Sequence, residues 1–274
     1  MPSSAAAPAD AATAHWQVPE HRSLFWQGRS SRCCVVIPVI NEGQRIRDFI
    51  TRLEACAIPA QADILIVDGG STDGSLAIDW LQSHGIRGLL LKSGPGKLSA
   101  QLRVAYAFAL RAGYEGIITI DGNNKDDPAS IPAFLAALAD GVDFAQASRY
   151  IPGGQQEHTP LVRHLAIRLI HAPVLSLASG FPWTDTTQGY RAYSARCLLD
   201  PRVQIFRELF SGYELLAYLS YRLPRLGFRC IELPTARSYP PGETPTKISA
   251  VRGNLNLIKV LLKASAGRYN PSGG

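Results

Sequence analysis

The sequence predicts an α/β protein: one mainly parallel sheet with helices on both faces, followed by a C-terminal amphipathic helical extension. Three observations carry this expectation. Short apolar runs rich in β-branched residues alternate with segments of helical apolar spacing, the connections between them are short, and the runs stop abruptly in polar, turn-forming residues. Strand and helix in alternation pack a sheet between two helical layers.

Taken in order, an Ala-, Ser- and Pro-rich start (Met1 to Ala14) and a lead spotted with Trp16, Phe25 and Trp26 precede the first buried strand, Cys33 to Val39, which ends at Ile40-Asn41-Glu42-Gly43. A helix follows with Ile46, Phe49, Ile50 and Leu53 at helical spacing. The next strand runs from Asp63 to Val67 into Asp68-Gly69-Gly70-Ser71-Thr72-Asp73-Gly74-Ser75, and a helix with Leu76, Ile78, Trp80 and Leu81 begins. A third strand, Gly88 to Leu91, leads to Lys92 through Lys97 and a helix from about Leu98 to Ala112. The run from Ile117 to Ile120 stops at Asp121-Gly122-Asn123-Asn124-Lys125-Asp126-Asp127-Pro128, and then come a helix to Ala139 and a strand, Val142 to Ala147, ending in Ser148-Arg149-Tyr150.

The second half is less regular. Leu161 to Ser179 reads as helical with a kink at Pro173, Thr184 to Tyr193 as strand or turn, Tyr213 to Leu223 as helix and Phe228 to Leu233 as strand. A Pro/Gly/Thr-rich loop, Tyr239 to Thr246, precedes a basic amphipathic helix from about Ile248 to Ala264. No internal repeat or clean linker interrupts the pattern. The expected organisation is a flexible tail and lead over residues 1–30, one domain over 31–265 and a flexible tail over 266–274.

With 274 residues and 46% apolar content the chain can bury a substantial core. Its formal charge of +6 suits an anionic partner: nucleotide phosphate, an acidic membrane surface or nucleic acid. The sequence carries no nucleic-acid-binding motif and no Arg/Lys block with interleaved aromatics, which sets nucleic acid aside. Five cysteines, Cys33, Cys34, Cys56, Cys197 and Cys230, lack metal-ligand spacing and point to a reduced compartment. Met1 to Ala14 has neither the basic nor the apolar region of a signal peptide, and no apolar run reaches the roughly 18 to 20 residues that span a bilayer. The expectation is a cytoplasmic protein, soluble or held peripherally on the cytoplasmic face of an anionic membrane. For Leu161 to Ser179 and Ile248 to Ala264, core packing is the commoner fate of such amphipathic helices.

Four strand ends offer polar groups to one edge: Asn41 and Glu42; Asp68 with Ser71 and Asp73; Asp121 with Asn123; Ser148 with Arg149. Ligands of open α/β sheets bind at the carboxyl ends of strands. Taken alone, Asp121 reads equally as a site acid or as part of a turn in which Asp126 or Asp127 caps a helix with Pro128 in its first turn. Four such ends in order suit a nucleotide site. Carboxylates and amides accept base N–H groups and ribose hydroxyls, a divalent cation neutralises diphosphate, and arginines hold phosphate oxygens.

These residues carry a resemblance. Val35 to Glu42, Ile66 to Ser75, Ser148-Arg149-Tyr150 with Gly153-Gly154, and Asp185-Thr186-Thr187-Gln188-Gly189-Tyr190-Arg191 resemble the family 2 glycosyltransferases of GT-A fold. Within that family the dolichol- or polyprenyl-phosphate mannose synthase branch is the most similar, over roughly Cys33 to Lys263. The resemblance implies that Asp68 holds the nucleobase with Pro38, Asn41, Glu42 and Ser71 beside it. It puts Asp121 and Gly122 at the start of the family's metal-binding DxD segment, with Asp121 and Asn123 holding Mg²⁺ or Mn²⁺. Arg149, Arg237 and Lys247 match phosphate-contacting positions. Asp185 and Arg191 match an acceptor-side segment and, with Asp121 and Arg149, form the implied catalytic set.

The departures matter too. The DxD-like segment reads Asp121-Gly122-Asn123, an amide in place of the second carboxylate, and Lys125 stands where the branch often offers another oxygen ligand; Gly69 replaces a second Asp common after Asp68. The expected reaction is inverting transfer of a hexose from a GDP- or UDP-linked donor to a polyprenyl phosphate. A phosphate acceptor is already an anion and needs no strong base, whereas a hydroxyl acceptor does, with Asp185 the first choice. Two alternatives remain: the same donor chemistry onto a saccharide or small-molecule hydroxyl, and a catalytically weak nucleotide-sugar-binding protein.

Overall fold

The computed structural model describes residues 13–239 and 252–272. Lys247 and the loop expected from Pro240 onward lie outside them. The strands are β1 (His21–Trp26), β2 (Cys33–Val39), β3 (Asp63–Asp68), β4 (Ile86–Lys92), β5 (Gly116–Thr119), β6 (Phe144–Ser148), β7 (Gln155–Glu157), β8 (Arg191–Ser194), β9 (Cys230–Pro234) and β10 (Ala236–Ser238). The α-helices are α1 (Gln44–Ala55), α2 (Ile78–Ser83), α3 (Leu98–Arg111), α4 (Ile131–Ala139), α5 (Leu161–Ala166), α6 (Ala172–Ser179), α7 (Ala195–Leu199), α8 (Glu214–Arg225) and α9 (Arg252–Ser265).

Eight strands form one sheet in the order β1-β4-β3-β2-β5-β8-β6-β9, and β10 pairs with β7 in a separate ribbon. Within the large sheet, β1 and β8 run against their neighbours. The chain moves outward from β2 through β3 to β4, then returns to place β5 on the other side of β2. That reversal opens a crevice between the carboxyl ends of β2 and β5, where a ligand enters such a sheet. Pro38 sits in the central strand β2, beyond the last β5 partner pair, Val36 with Thr119, so its missing N–H removes nothing from that ladder.

Successive β2 side chains serve opposite cores, as the two-residue strand period requires. Cys34 and Val36 join α3 and α8 on one face, while Val35, Ile37 and Val39 join α1 and α4 on the other. The two helices with similar basic, apolar sequences part company here. Helix α9 buries Val260, Leu261 and Ala264. The stretch Leu161–Ser179 instead lies on the surface, with Leu161 70%, Val162 76%, Leu169 69% and Leu177 90% exposed; only Ile167, Ala172, Leu175 and Ser179 are buried. The core-packing expectation for this stretch is thus corrected. By length and composition this 19-residue stretch is also apolar enough to cross a membrane, contrary to the sequence reading. Its kink takes the form of a π-helical segment, Ile167–His171, just before Pro173, whose ring and missing N–H disturb the preceding turn.

The ordered unit begins before residue 31. β1 pairs with β4, and Trp16 stacks on Phe206 with ring centroids 3.9 Å apart. At the other end Tyr269 packs edge-on against Phe210. Asp127, rather than Asp126, caps the turn before α4 by accepting from Ala129 N.

At the opposite edge of the sheet, buried Asp63 starts β3 and accepts from Ser30 N and Oγ, Ser31 N and Tyr114 Oη, with Arg87 at 3.0 Å. Burial pushes its pKa up, but the hydrogen bonds from Ser30, Tyr114 and Ser31 outweigh burial and leave it lowered. A lowered carboxylate stabilises the fold above its unfolded pKa and ceases to do so as the pH falls through its folded value. Asp63→Asn is therefore expected to cost about 3 kcal/mol at neutral pH, with the gap to wild type closing below about pH 4. Urea unfolding across that range measures both.

Candidate active site

The carboxyl ends of β2 and β3 are tied together by their own polar residues. Asp68 Oδ1 accepts from Gly70 N, Ser71 N and Ser71 Oγ. Asn41, at φ 48°, accepts from Thr72 N through its side chain and donates its backbone N–H to Ser71 Oγ. Asp73 accepts from Gly43 N and from Ser75. Glu42 pairs with Arg45 at 3.1 Å. The result is a preformed cleft of about 370 Å³ whose walls include Leu24, Asp68, Ser71, Asp73, Leu76 and Leu91. Apolar walls with the carboxylates Asp68 and Asp73 among them suit a flat heterocycle carrying an N–H. Pro38 is buried in β2 and supports this edge without lining the cleft.

Gln101 was missed by sequence reading, because a polar residue inside a helix carries no local signal. Its Nε2 donates to Val39 O and Val67 O, clamping β2 to β3 from α3. A Cβ at Gly69 would come within 2.9 Å of that nitrogen, so the departure at Gly69 is matched by Gln101.

Asp121 lies just past β5 with its side chain 24% exposed. Gly122 lets the turn pass over β2, since a Cβ there would meet Val39 at 2.9 Å. Gly189 makes room for the carboxylate itself, as a Cβ would stand 2.5 Å from Asp121 Oδ1. The other oxygen, Oδ2, faces Arg237 Nη2 at 3.7 Å, and Arg237 Nη1 binds fully buried Asp126 at 2.5 Å. Burial opposes the Arg237 charge, but Asp126 and Asp121 outweigh it and raise its pKa, so the guanidinium is a permanent cation. Around buried Tyr239 gather Lys125 at 5.0 Å, Arg237 at 5.6 Å and Arg163 at 5.9 Å from the ring centre. Burial pushes the Tyr239 phenol up, yet Arg237, Arg163 and Arg149 more than offset it, leaving it below the ordinary tyrosine value. The potential here is positive.

Three residues of the implied catalytic set lie in buried polar contacts. Asp185 is fully buried and accepts from Arg149 Nε at 2.7 Å, Arg149 Nη2 and Gln188 Nε2, so it is no free base. Arg149 is committed to that pair, with only Nη1 lacking a partner, and is not presented to a phosphate. Arg191 is 1% exposed and donates to the carbonyls of Gln188, Leu216 and Thr186 and to Ser220 Oγ, which locks the β8 entrance onto α8. The structure brings together Asn41, Glu42, Asp68, Ser71 and Asp121 with Gly122 along one edge, and sets Arg237 beside Asp121.

Whether these residues suit a resident metal follows from the donor set. Asn123 turns its Oδ1 inward to accept from Lys125 N, Asp121 already faces a guanidinium, and no group of three or more His, Cys, Asp or Glu side chains converges among the described residues. Mg²⁺ and Mn²⁺ demand several oxygen ligands. The expected pair Asp121 and Asn123 does not supply them.

The profile of Glycosyl transferase family 2 matches residues 34–199. Polyprenol monophosphomannose synthase of Mycolicibacterium smegmatis is 29% identical over 213 residues, 75% of this chain and 77% of that protein. Undecaprenyl-phosphate mannosyltransferase of Micrococcus luteus is 28% identical over 207 residues, covering 74% and 82%. Glucosyl-3-phosphoglycerate synthase of Mycobacterium tuberculosis superposes with a TM-score of 0.59 at 18% identity over 90% of this chain and 83% of that one. A second structure of that enzyme, holding Mn²⁺, UDP and glucosyl-3-phosphoglycerate, gives 0.56 at 18% identity over 90% and 82%. These likenesses show the GT-A fold.

Asp185→Ala leaves Arg149 buried without a partner and is expected to destabilise the protein by about 3–5 kcal/mol. The double variant Asp185→Leu/Arg149→Met should recover most of that loss in urea unfolding. A single variant as stable as wild type would show that the buried pair has no structural role.

Proposed function

Because the chain belongs to glycosyl transferase family 2 and is a glycosyltransferase, we propose that it moves a hexose, with inversion, from a nucleoside diphosphate sugar to a polyprenyl phosphate at a membrane surface. The observation that carries this reading is the continuity between the cation cluster and an exposed apolar helix. Arg163 of α5 donates to Tyr239 Oη at 3.1 Å, and Tyr239 in turn packs against Arg237 beside Asp121. A polyprenyl phosphate has the matching layout: an anionic head joined to a long apolar tail. The names of the two mannosyl-transferring relatives support the same acceptor class.

In this reading the cleft at Asp68 takes the base and the Asp121 edge receives the ribose and diphosphate. An acceptor phosphate oxygen attacks the anomeric carbon as its bond to the diphosphate breaks, and the nucleoside diphosphate leaves. Cations near the leaving group stabilise the charge that develops there. The acceptor is already ionised, so no general base is required. The burial of Asp185 in an ion pair supports a phosphate over a hydroxyl acceptor.

Leu161–Ser179 is the surface proposed to meet the lipid. Between His158 and Thr184 the chain has no Asp or Glu but has Arg163, Arg168, His164 and His171 among its apolar residues. Such a face suits an anionic interface, and its buried Ile167 and Leu175 support a helix that lies on the protein at that interface.

Product formation on short polyprenyl phosphates, compared with free sugars, tests the acceptor; turnover confined to free sugars would overturn it. Asp68→Ala is expected to weaken UDP or GDP binding at least about tenfold in calorimetry. Leu169→Asp/Leu177→Asp, both at exposed positions, should abolish co-sedimentation with anionic liposomes while leaving the melting temperature unchanged.

A further inference from the structure

We infer that this chain neutralises its donor's diphosphate with fixed side-chain cations, Arg237 foremost, and binds the nucleotide without a chelated divalent ion. The inference rests on the nucleotide-sugar reading of the same edge and concerns how that edge holds charge.

Arg237 is clamped in place by backbone as well as by carboxylates. The segment after Asp121 zips onto β10: Asp127 N donates to Ala236 O at 3.1 Å, Ser238 N donates to Lys125 O at 2.9 Å, and Asp126 bridges Arg237 in antiparallel fashion. Between those bonds the guanidinium reaches Asp126 with one nitrogen and Asp121 with another. Asp126 is wholly buried, so withdrawing Arg237 would strand a carboxylate in the interior, at a heavy cost. The guanidinium therefore stays beside Asp121 whether or not a ligand is present. A dication at Asp121 would lie within a few ångströms of this immovable positive charge, where like charges repel strongly.

The rest of the neighbourhood agrees. The amide that replaces the second acid, Asn123, has its oxygen turned into its own loop. Lys125 adds a second cation; burial and then Arg237 lower its pKa, the signature of a crowded positive site. Arg163 is a third, at the Tyr239 ring. A guanidinium presents paired N–H donors in the geometry of phosphate oxygens, so it does the electrostatic work of a cation without needing ligands of its own.

Calorimetry of the full chain with UDP and with GDP, in EDTA and then in Mn²⁺, reads this directly. For whichever nucleotide binds, the dissociation constants are expected to agree within about threefold; a weakening of about tenfold or more in EDTA overturns the inference. Failure of both nucleotides in both conditions overturns the nucleotide reading itself, a distinguishable result. The double variant Arg237→Gln/Asp126→Asn keeps the buried site neutral and is checked for folding by its thermal melt. It should bind at least about tenfold more weakly in EDTA. Wild-type affinity in EDTA for that variant would show that Arg237 is not the counter-charge.

Discussion

A strand buried on both faces places a polar side chain most cheaply at its ends. β2, β3 and β5 obey that constraint throughout, with alternate residues committed to two separate cores. The acids and amides Asn41, Asp68 and Asp121 therefore emerge together where the ladders stop. Parallel pairing keeps those ends level, and the reversal of strand order between β2 and β5 separates the neighbouring connections enough to admit a ligand. Core and site are two consequences of one burial pattern.

Charge at this edge is unusually committed. Asp185 with Arg149, and Asp126 with Arg237, are pairs with little or no solvent exposure. Each costs desolvation and contributes specificity of position more than stability. The first pair anchors the segment before β8 to the end of β6. The second presents a guanidinium to Asp121, a carboxylate that remains partly exposed. Arrangement in advance is the useful property, since a cation that need not move at the moment of reaction loses nothing to reorganisation.

The surface helix shows how similar compositions reach different ends. α9 and Leu161–Ser179 both mix apolar with basic residues, but α9 docks on α8 and on α6, the C-terminal part of the other stretch, whereas that stretch leaves Leu161, Val162, Leu169 and Leu177 in solvent. Its link to the site runs through Arg163 and Tyr239, which joins a lipid-compatible surface to a phosphate-compatible one.

Local pattern by itself determined the alternation of strands and helices and the polar strand ends, because periodicity and turn chemistry act over a few residues and are written in order along the chain; the resemblance of the motifs pointed to the family. It also marked Asn123 and Lys125 as the weak point of a metal site. Only the tertiary structure decided which charges face each other. Arg149, Asp185 and Arg191 look reactive in sequence and are buried ion-pair or carbonyl-binding residues in the fold, while Gln101, Gly189 and Asp126 look ordinary and shape the edge. The physical reason is distance along the chain: Arg237 meets Asp126 across 111 residues, and a long-range pairing of that kind leaves no trace in local spacing.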